Sequence, residues 1–427
     1  MIATALLTLL ALMALAIPVA ASMGVLGLVL GQLFAFLPVS KAAGEIAWTS
    51  SNEFLLVSLP LFILLGELLL RSGLAERMYG ALAKWLNWLP GGLMHSNIAA
   101  CALFAATSGS SVATAATVGT VALPQARRFG YNERLFLGTL AAGGTLGILI
   151  PPSINMIVYA VLTNTSVPKL YLAGILPGML LALGFSAIVL LACLVRPGWG
   201  GRRLATPLRE CLASLVHLVP PLGVFLVVVG SIYAGIATAT EAASLGVMMG
   251  LLLAWWSKAL SWAMLREALL GTMKSTGMIM LIVVAAYFLN FVMSSIGLTT
   301  RLTDAIQGLG LGKWEMLLAV VVFYVVLGCF METLSMMITT VPVIAPVMQA
   351  LGFDMVWFGI VVIVLVETAL ITPPVGLNLF VVHNLRRAGP MNDVIVGTLP
   401  FVAALFVLLL LLALFPGLAL WLPSVFS

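Results

Sequence analysis

Apolar runs of roughly 20 residues, the length that crosses a bilayer core, recur from one end of the chain to the other. Short loops between them hold most of the charged residues. The pattern predicts a series of membrane helices, of which the first three are Met1–Ala20, Val25–Val39 and Phe54–Leu70. The first run lacks the basic leader of a secretory signal and a second run follows almost at once, so we interpret it as a membrane helix.

Two later runs are each interrupted by a pair of prolines. Gly143–Asn155 has the sequence GGTLGILIPPSIN and Glu367–Asn378 has ETALITPPVGLN, with the proline pairs 222 positions apart, at 151 and 373. Proline lacks a backbone donor and disfavours helical geometry in the residue before it. We therefore predict broken helices over Leu135–Leu162 and Met355–Leu385. In lipid such breaks are tolerated only against protein or a watery cavity, so a matched pair predicts a buried polar site.

Two other apolar runs have polar centres. Leu93–Pro124 contains Thr107–Ser111 (TSGSS), and Trp314–Met348 contains Gly328–Ser335 (GCFMETLS). A polar centre with glycine suits two half-length helices that meet at a turn, which gives a re-entrant hairpin whose tip stops near the bilayer midplane. The alternative is an ordinary span in which the small residues serve helix packing.

The distribution of basic residues favours the hairpins over ordinary spans. If both runs enter and leave on one side, all but four of the 19 Lys and Arg share one face, the exceptions being Lys41, Lys169, Arg301 and Lys313. The positive-inside rule makes that face cytoplasmic and places both termini on the periplasmic side. An amphipathic helix with basic and aromatic residues, in Arg71–Pro90, is expected along the membrane surface.

The predicted fold is an all-α polytopic membrane protein built as an inverted repeat of residues 1–210 and 211–427. The first copy contains the hairpin 93–124 and the broken helix 135–162, and the second contains the hairpin 314–348 and the broken helix 355–385. Inverted repeats with midplane breaks are typical of secondary transporters. The other predicted elements of the second half are Cys211–Tyr233, Glu241–Trp256, a surface segment with Lys258, Arg266 and Lys274, the span Met278–Ile296 and the last span Phe401–Leu420.

Composition agrees with a membrane protein and excludes several other classes. The chain has 427 residues, of which 63% are hydrophobic and only 8% charged, whereas a soluble domain is usually about one-quarter charged. Its net charge of +5 comes from short loops, so we predict no nucleic-acid partner. The four cysteines and three histidines are scattered, which argues against disulfides and a metal centre of these residues. Neither HExxH nor a P-loop motif occurs.

The polar residues of the tips and breaks are the candidates for chemistry. Carbonyl and hydroxyl oxygens suit sodium, while amides at half-helix N-termini suit anions. Asn155 and Asn378 follow the proline pairs, where an amide can cap a helix, bind a solute, or do both. Glu332 could bind a cation, carry a proton or fix its tip by accepting backbone amides. For Glu367 we favour a role in steadying the unwound backbone, and for Glu241 a capping role.

Four motifs in order give the chain a resemblance to a known family. They are Ser108–Gly119 (SGSSVATAATVG), GTLGILIPPS ending at Ser153, Ala237–Ala243 (ATATEAA) and Leu370–Phe380 (LITPPVGLNLF). Together they resemble the large membrane subunit of the tripartite ATP-independent periplasmic (TRAP) transporters. The resemblance implies a sodium-driven, elevator-type carrier of organic acids in the bacterial inner membrane, with a small four-helix membrane subunit and a periplasmic solute-binding protein as partners.

The same resemblance implies two sodium sites and a solute site. The sodium ligands would be Ser108, Gly109, Ser110, Gly143 and Thr145 in the first copy and Gly328, Glu332, Thr333, Thr368 and Thr372 in the second. The residues expected to contact the solute are Ser108, Ser110, Ser111, Ser153, Asn155, Thr333 and Asn378. Glu332 stands where the family commonly has Asp, and Thr333 where it commonly has Pro.

Two other functions are consistent with parts of the sequence. One is a standalone sodium–dicarboxylate or sodium–proton carrier of the same superfamily, which would need no partner subunits. The other is a membrane-embedded hydrolase, for which the only basis is the serine cluster Ser108–Ser111 at membrane depth. No histidine or acid has an evident reason to approach that cluster, so we expect a carrier and not an enzyme.

Overall fold

The computed structural model describes residues 1–15, 17–36, 38–202, 206–298, 300–301, 312–328, 331–374 and 376–426. For residues 2, 6, 10, 13, 14 and 106–108 it describes the backbone and not the side chain. The α-helices of the first half are α1 Ile2–Ala14, α2 Val19–Phe34, α3 Ala43–Ser51, α4 Ser58–Arg71, α5 Leu74–Leu86, α6 Leu93–Ser108, α7 Ser111–Phe129, α8 Glu133–Leu149, α9 Ile154–Thr163 and α10 Val167–Val195. Those of the second half are α11 Leu208–Ser214, α12 Val219–Tyr233, α13 Ala239–Trp256, α14 Trp262–Ser295, α15 Lys313–Leu327, α16 Thr333–Ala350, α17 Met355–Ile371, α18 Leu377–Arg386, α19 Met391–Leu414 and α20 Gly417–Phe426.

Six helices of the described residues are long and apolar enough to cross a membrane, and eight if each of two bent pairs counts as one span. This confirms the prediction of an all-α polytopic membrane protein. The six are Phe54–Arg71, Val167–Val195, Ala239–Trp256, Trp262–Ser295, Thr333–Ala350 and Met391–Leu414. One bent pair is α8 with α9, whose axes differ by 43° at Pro151 and Pro152.

Helix starts repeat at the spacing of the proline pairs. The helices α7 and α16 begin at Ser111 and Thr333, and α8 and α17 begin at Glu133 and Met355, so each pair is 222 positions apart. The helices after the breaks, α9 and α18, begin at Ile154 and Leu377, one position further apart. The helices therefore follow the same order at nearly the same spacing in the two halves of the sequence.

The helices around the two breaks pack reciprocally. Both α6 and α7 pack on α8, and both α15 and α16 pack on α17. The second part of each broken helix then crosses to the other copy, since α9 packs on α16 and α18 packs on α7. A separate group forms around α4, which packs on α13 and α14, while α14 also packs on α2.

Two elements differ from their predicted limits. A surface segment and a separate span were predicted up to Ile296, but α14 is one continuous helix of 34 residues. No proline interrupts it, and Arg266 and Lys274 lie on its exposed side, so the charges do not end the helix. The last predicted span, Phe401–Leu420, is instead α19 and α20. Proline 400 lies within α19, where neighbouring helices tolerate it, and the chain breaks near Pro416.

Candidate functional site

The first tip is the turn between α6 and α7. Gly109 makes this turn with φ +61°, a left-handed conformation that glycine adopts without steric cost. Ser110 then caps α7, because its Oγ accepts a hydrogen bond from the amide of Ala113 at 3.4 Å. The tip rests on α8, where a Cβ on Gly147 would lie 2.9 Å from the carbonyl carbon and oxygen of Ser110. Glycine at position 147 therefore allows the tip to reach the first break.

The second tip uses a different capping group at the equivalent position. Glu332, 222 positions after Ser110, is the N-cap of α16. Its Oε1 accepts from the amide of Leu334 at 3.2 Å, and its Oε2 accepts from the amide of Ser335 at 3.3 Å and from its hydroxyl at 3.0 Å. Glu332 thus makes the backbone contact that was one of its three roles left open by the sequence. The tip lies against α17, where a Cβ on Gly328 would overlap Ala369.

The residues after the two breaks bind different neighbours. Ser153 is fully buried and caps α9. Asn155 is 2% exposed, and its Nδ2 lies 3.5 Å from the sulfur of Met337 on α16. Asn378 is 0% exposed, and its Nδ2 donates to the carbonyl of Ala141 on α8 at 3.2 Å. Both asparagines therefore join one copy to the other, but through contacts of different strength.

A cavity of about 240 Å³ lies where the two tips, the first break and the helices α4 and α14 meet. The tips and the break contribute Gly109, Ser110, Ser111, Val112, Ala113, Ile154, Asn155, Glu332, Thr333 and Leu334. The opposite wall contains Ile63, Gly66, Glu67, Leu70, Ser275, Met278 and Ile279. The charged residues that line the cavity are Glu67 and Glu332, and both are acidic. The cavity thus lies between the helices that form the breaks and the separate group around α4.

The structure brings only part of the predicted site to this cavity. The predicted residues that line it are Gly109, Ser110, Ser111, Asn155, Glu332 and Thr333. The predicted residues that do not line it are Ser153, Asn378, Gly143, Thr145, Gly328, Thr368 and Thr372. The side chain of Ser108 lies outside the described part of the chain.

Three of the four predicted threonine ligands have hydroxyls that already donate to their own helices. Thr145 donates to the carbonyl of Ala142, Thr368 to that of Val364, and Thr372 to that of Thr368, at 2.6 to 2.7 Å. A hydroxyl that donates keeps its oxygen lone pairs. These oxygens can therefore accept a cation, while the described residues contain no group of three or more His, Cys, Asp or Glu that could hold a metal ion.

Glu367 is buried between the two broken helices. It is 0% exposed, and its carboxyl group faces the backbone amides of Ile148 and Leu149 at the end of α8. Among the residues that the structure describes, neither carboxyl oxygen has a hydrogen-bond partner of ordinary geometry. This position, beside the last turn before the first break, agrees with the role that we favoured for Glu367, which stays a prediction.

Glu67 is a cavity residue that the sequence analysis missed. It lies on α4, its side chain is 22% exposed, and it pairs with Arg71 at 3.0 Å. Arg71 also pairs with Glu267 of α14 at 2.7 Å. The available signal was an acid within an apolar run, four residues before an arginine, a spacing that puts both on one helix face.

Apolar helices of spanning length around a small polar cavity, formed where helix tips meet a helix break, define a multi-pass membrane carrier. The chain belongs to the family described as the tripartite ATP-independent periplasmic transporter, DctM component, whose model matches residues 6–418. The family resemblance inferred from the four motifs is therefore confirmed.

Two relatives agree with this assignment, and a solved structure shares the fold. The chain is 35% identical over 376 residues to the C4-dicarboxylate TRAP transporter large permease protein DctM of Pseudomonas aeruginosa, covering 88% of this chain and 87% of that protein. It is 30% identical over 381 residues to the sialic acid TRAP transporter large permease protein SiaM of Vibrio cholerae, with the same two coverages, 88% and 87%. The crystal structure of the Alcanivorax borkumensis YdaH transporter has a TM-score of 0.66 at 16% identity, over 95% of this chain and 98% of that one, which concerns the fold alone.

Ser111 is the member of the serine cluster whose surroundings bear on a hydrolase. The Oγ of Ser111 has no hydrogen-bond partner in the described part of the chain, so no base activates it there. The relatives named above are permeases and not enzymes.

Proposed function

We propose that this chain is the membrane carrier subunit of a sodium-driven transporter that imports an organic acid anion delivered by a periplasmic solute-binding protein. The observation that carries the proposal is the cavity between the two tips, the first break and the helices α4 and α14. A small four-helix membrane subunit and the binding protein complete the transporter in the inner membrane. The names of the relatives support an organic acid as the solute, since they transport C4-dicarboxylates and sialic acid.

We propose an elevator movement between two parts of the molecule. The mobile part consists of the helices that meet at the tips and breaks, α6 to α9 and α15 to α18, which pack on each other across the two copies. The stationary part contains α2, α4, α13 and α14. The cavity lies on the boundary between the parts, where sliding would carry a bound solute. In this proposal the copies are inverted, both hairpins are re-entrant, and both termini are periplasmic.

Sodium is the proposed co-transported ion, held by carbonyl and hydroxyl oxygens. In the first copy the proposed ligands are Ser108, Gly109, Ser110, Gly143 and Thr145, and in the second copy they are Gly328, Glu332, Thr333, Thr368 and Thr372. The close contacts of Ser110 with Gly147 and of Gly328 with Ala369 support this assignment, because they bring the tip backbones to the threonine-containing turns. Hard oxygen ligands suit sodium better than they suit a transition metal.

The test is uptake into proteoliposomes that contain the permease, the small membrane subunit and the binding protein encoded with it. We expect accumulation of an organic acid when sodium is high on the side of the binding protein, and none when potassium replaces sodium. Coupling requires that sodium favours the state that binds the solute. Accumulation that ignores the sodium gradient would contradict the proposal. Equal uptake without the binding protein would instead support a standalone carrier.

A further inference from the structure

We propose that the C-terminal ends of α7 and α18 form a site for the phosphate group of an anionic phospholipid. The site is a second cavity, of about 740 Å³, which is lined by α7, α8, α18 and the loop after α18. Only the orientation that makes these helix ends cytoplasmic is taken from the proposed function. The volume lies in the range of cavities that bind small ligands.

The charge of this cavity is opposite to that of the cavity at the tips. Its charged lining residues are Arg127, Glu133, Arg386 and Arg387, three cations and one acid. The charged residues described in the lining at the tips are both acidic. A cleft with an excess of one sign of charge attracts ligands of the other sign, so the second cavity favours an anion.

Arg386 is the buried arginine of this set. Its side chain is 7% exposed, and its guanidinium donates to Glu133 at 2.8 Å, to Asp393 at 3.0 Å and to the carbonyl of Pro390 at 3.3 Å. A Cβ on Gly389 would overlap the guanidinium, so glycine allows the loop to close around it. These contacts join the end of α18 to the starts of α8 and α19 and fix one wall of the cavity.

The other two arginines keep donors for a ligand. Arg387 forms no ion pair among the residues that the structure describes. The side chain of Arg127 is 63% exposed, and its partner Glu133 lies 3.8 Å away and only 2.8 Å from Arg386. A guanidinium has five N–H donors, and arginine binds phosphate through pairs of them. A phosphate group in the cavity would therefore find donors that the protein does not use.

Most of the remaining lining is apolar, which favours a lipid over a free phosphate ion. Leu123 and Arg127 are four residues apart on one face of α7, and both line the cavity. On α18, Phe380 is 42% exposed and lies one turn before Asn384 of the lining, with Arg387 at the end of the helix. Basic pockets between membrane helices on the cytoplasmic side bind the headgroups of anionic lipids.

The position of the cavity does not suit the transported solute. Its described lining residues lie on three helices of the proposed mobile part, α7, α8 and α18, and on the loop that follows α18. None of them belongs to α2, α4, α13 or α14, whereas the cavity at the tips includes residues of α4 and α14. A phospholipid in the second cavity would move with the mobile part and hold α7 of one copy to α18 of the other.

The test is thermal stabilisation of the delipidated permease, purified with its small membrane subunit, across a concentration series of each probe. The probes are phosphatidylglycerol, phosphatidylcholine with the same acyl chains, and glycerol phosphate, which has the phosphate without the chains. We expect phosphatidylglycerol to act at concentrations about tenfold or more below those of the other two. Equal potency of phosphatidylcholine or of glycerol phosphate would overturn the assignment to an anionic lipid.

Two double variants test the site. Arg127→Gln with Arg387→Gln removes the two charges without a close acid and leaves the ion pairs of Arg386, so we expect the preference for phosphatidylglycerol to be lost. Arg128→Gln with Arg266→Gln removes the same charge from exposed positions outside the lining and should keep the preference. Equal behaviour of the two double variants would show that the lipid responds to surface charge and not to this cavity.

The solute is the rival occupant, and succinate is its probe. We expect any sodium-dependent stabilisation by succinate to be the same in both double variants. A loss confined to Arg127→Gln with Arg387→Gln would place the solute in this cavity and overturn the lipid assignment. The proposed function is tested separately, because sodium-driven uptake by the unchanged protein does not depend on which ligand fills this cavity.

Discussion

The two helix tips occupy equivalent positions and cap their helices with different groups. Ser110 caps α7 with a hydroxyl, whereas Glu332 caps α16 with a carboxylate that takes two amides and a hydroxyl. Both groups accept amides of the first helical turn, but only the second brings a carboxylate to its tip. Equivalent positions of the two tips can thus differ in charge while both cap a helix.

The small residues that allow the tips to approach the breaks also differ. In the first copy the space comes from Gly147 on α8, opposite the backbone of Ser110. In the second copy position 369, which is equivalent to 147, is alanine, and the space comes from Gly328 on the tip. Backbone meets backbone at the first tip, so we expect that contact to tolerate change least.

The largest expected effect comes from Gly147→Ala. The added Cβ would lie 2.9 Å from the carbonyl carbon and oxygen of Ser110, and backbone at that distance can yield only if the whole tip moves. A displacement of about 1 Å near a binding site can cost about 100-fold in rate, so we expect sodium-driven uptake to fall by that order.

Gly184→Ala is the matched control, because a Cβ at that position of α10 would meet nothing within 4 Å. We expect its uptake and its melting temperature to equal those of the unchanged protein. Normal uptake by a well-folded Gly147→Ala protein would show that the first tip is not held at the break in the way that we describe.

The two asparagines give the next contrast. Asn378→Ala removes a buried hydrogen bond between α18 and α8, which should lower the free energy of unfolding by about 1 kcal/mol. Asn155→Ala removes only a contact with sulfur, so we expect near-normal stability together with a raised KM. Melting curves and uptake kinetics of both proteins separate these effects. Equal losses of stability in the two variants would contradict the expectation that Asn378 stabilises the packing of the helices while Asn155 binds the solute.

Proline made the breaks predictable, because its effect is covalent and local. The predicted broken helices Leu135–Leu162 and Met355–Leu385 agree with α8 to α9 and α17 to α18 within two residues. The different roles of Asn155 and Asn378 were not predictable in this way. Each asparagine is the second residue of its helix, α9 or α18, so their different partners come from the packing of those two helices and not from their place within them.

Cavity residues contributed by distant helices were harder still to predict. Glu67 enters the lining because α4 packs beside the tips, and that contact is between segments far apart in sequence. Glu332 was identified from its unusual place in an apolar run, but its capping contact depends on the torsion angles of the tip. A local constraint depends on residues that are neighbours in the sequence, whereas the lining of a cavity depends on the packing of the whole chain.

The smallest expected effect tests the donors of the first tip. Ser111→Ala removes a buried hydroxyl that has no protein partner among the described residues, so folding should lose nothing measurable. The solute would lose one hydrogen bond, which corresponds to a rise in KM of roughly two- to tenfold at an unchanged maximal rate. Thr120→Ala, which removes an exposed hydroxyl further along α7, is the control and should change neither quantity. If Ser111→Ala instead lowers the melting temperature at an unchanged KM, the hydroxyl serves packing, and Ser111 does not bind the solute.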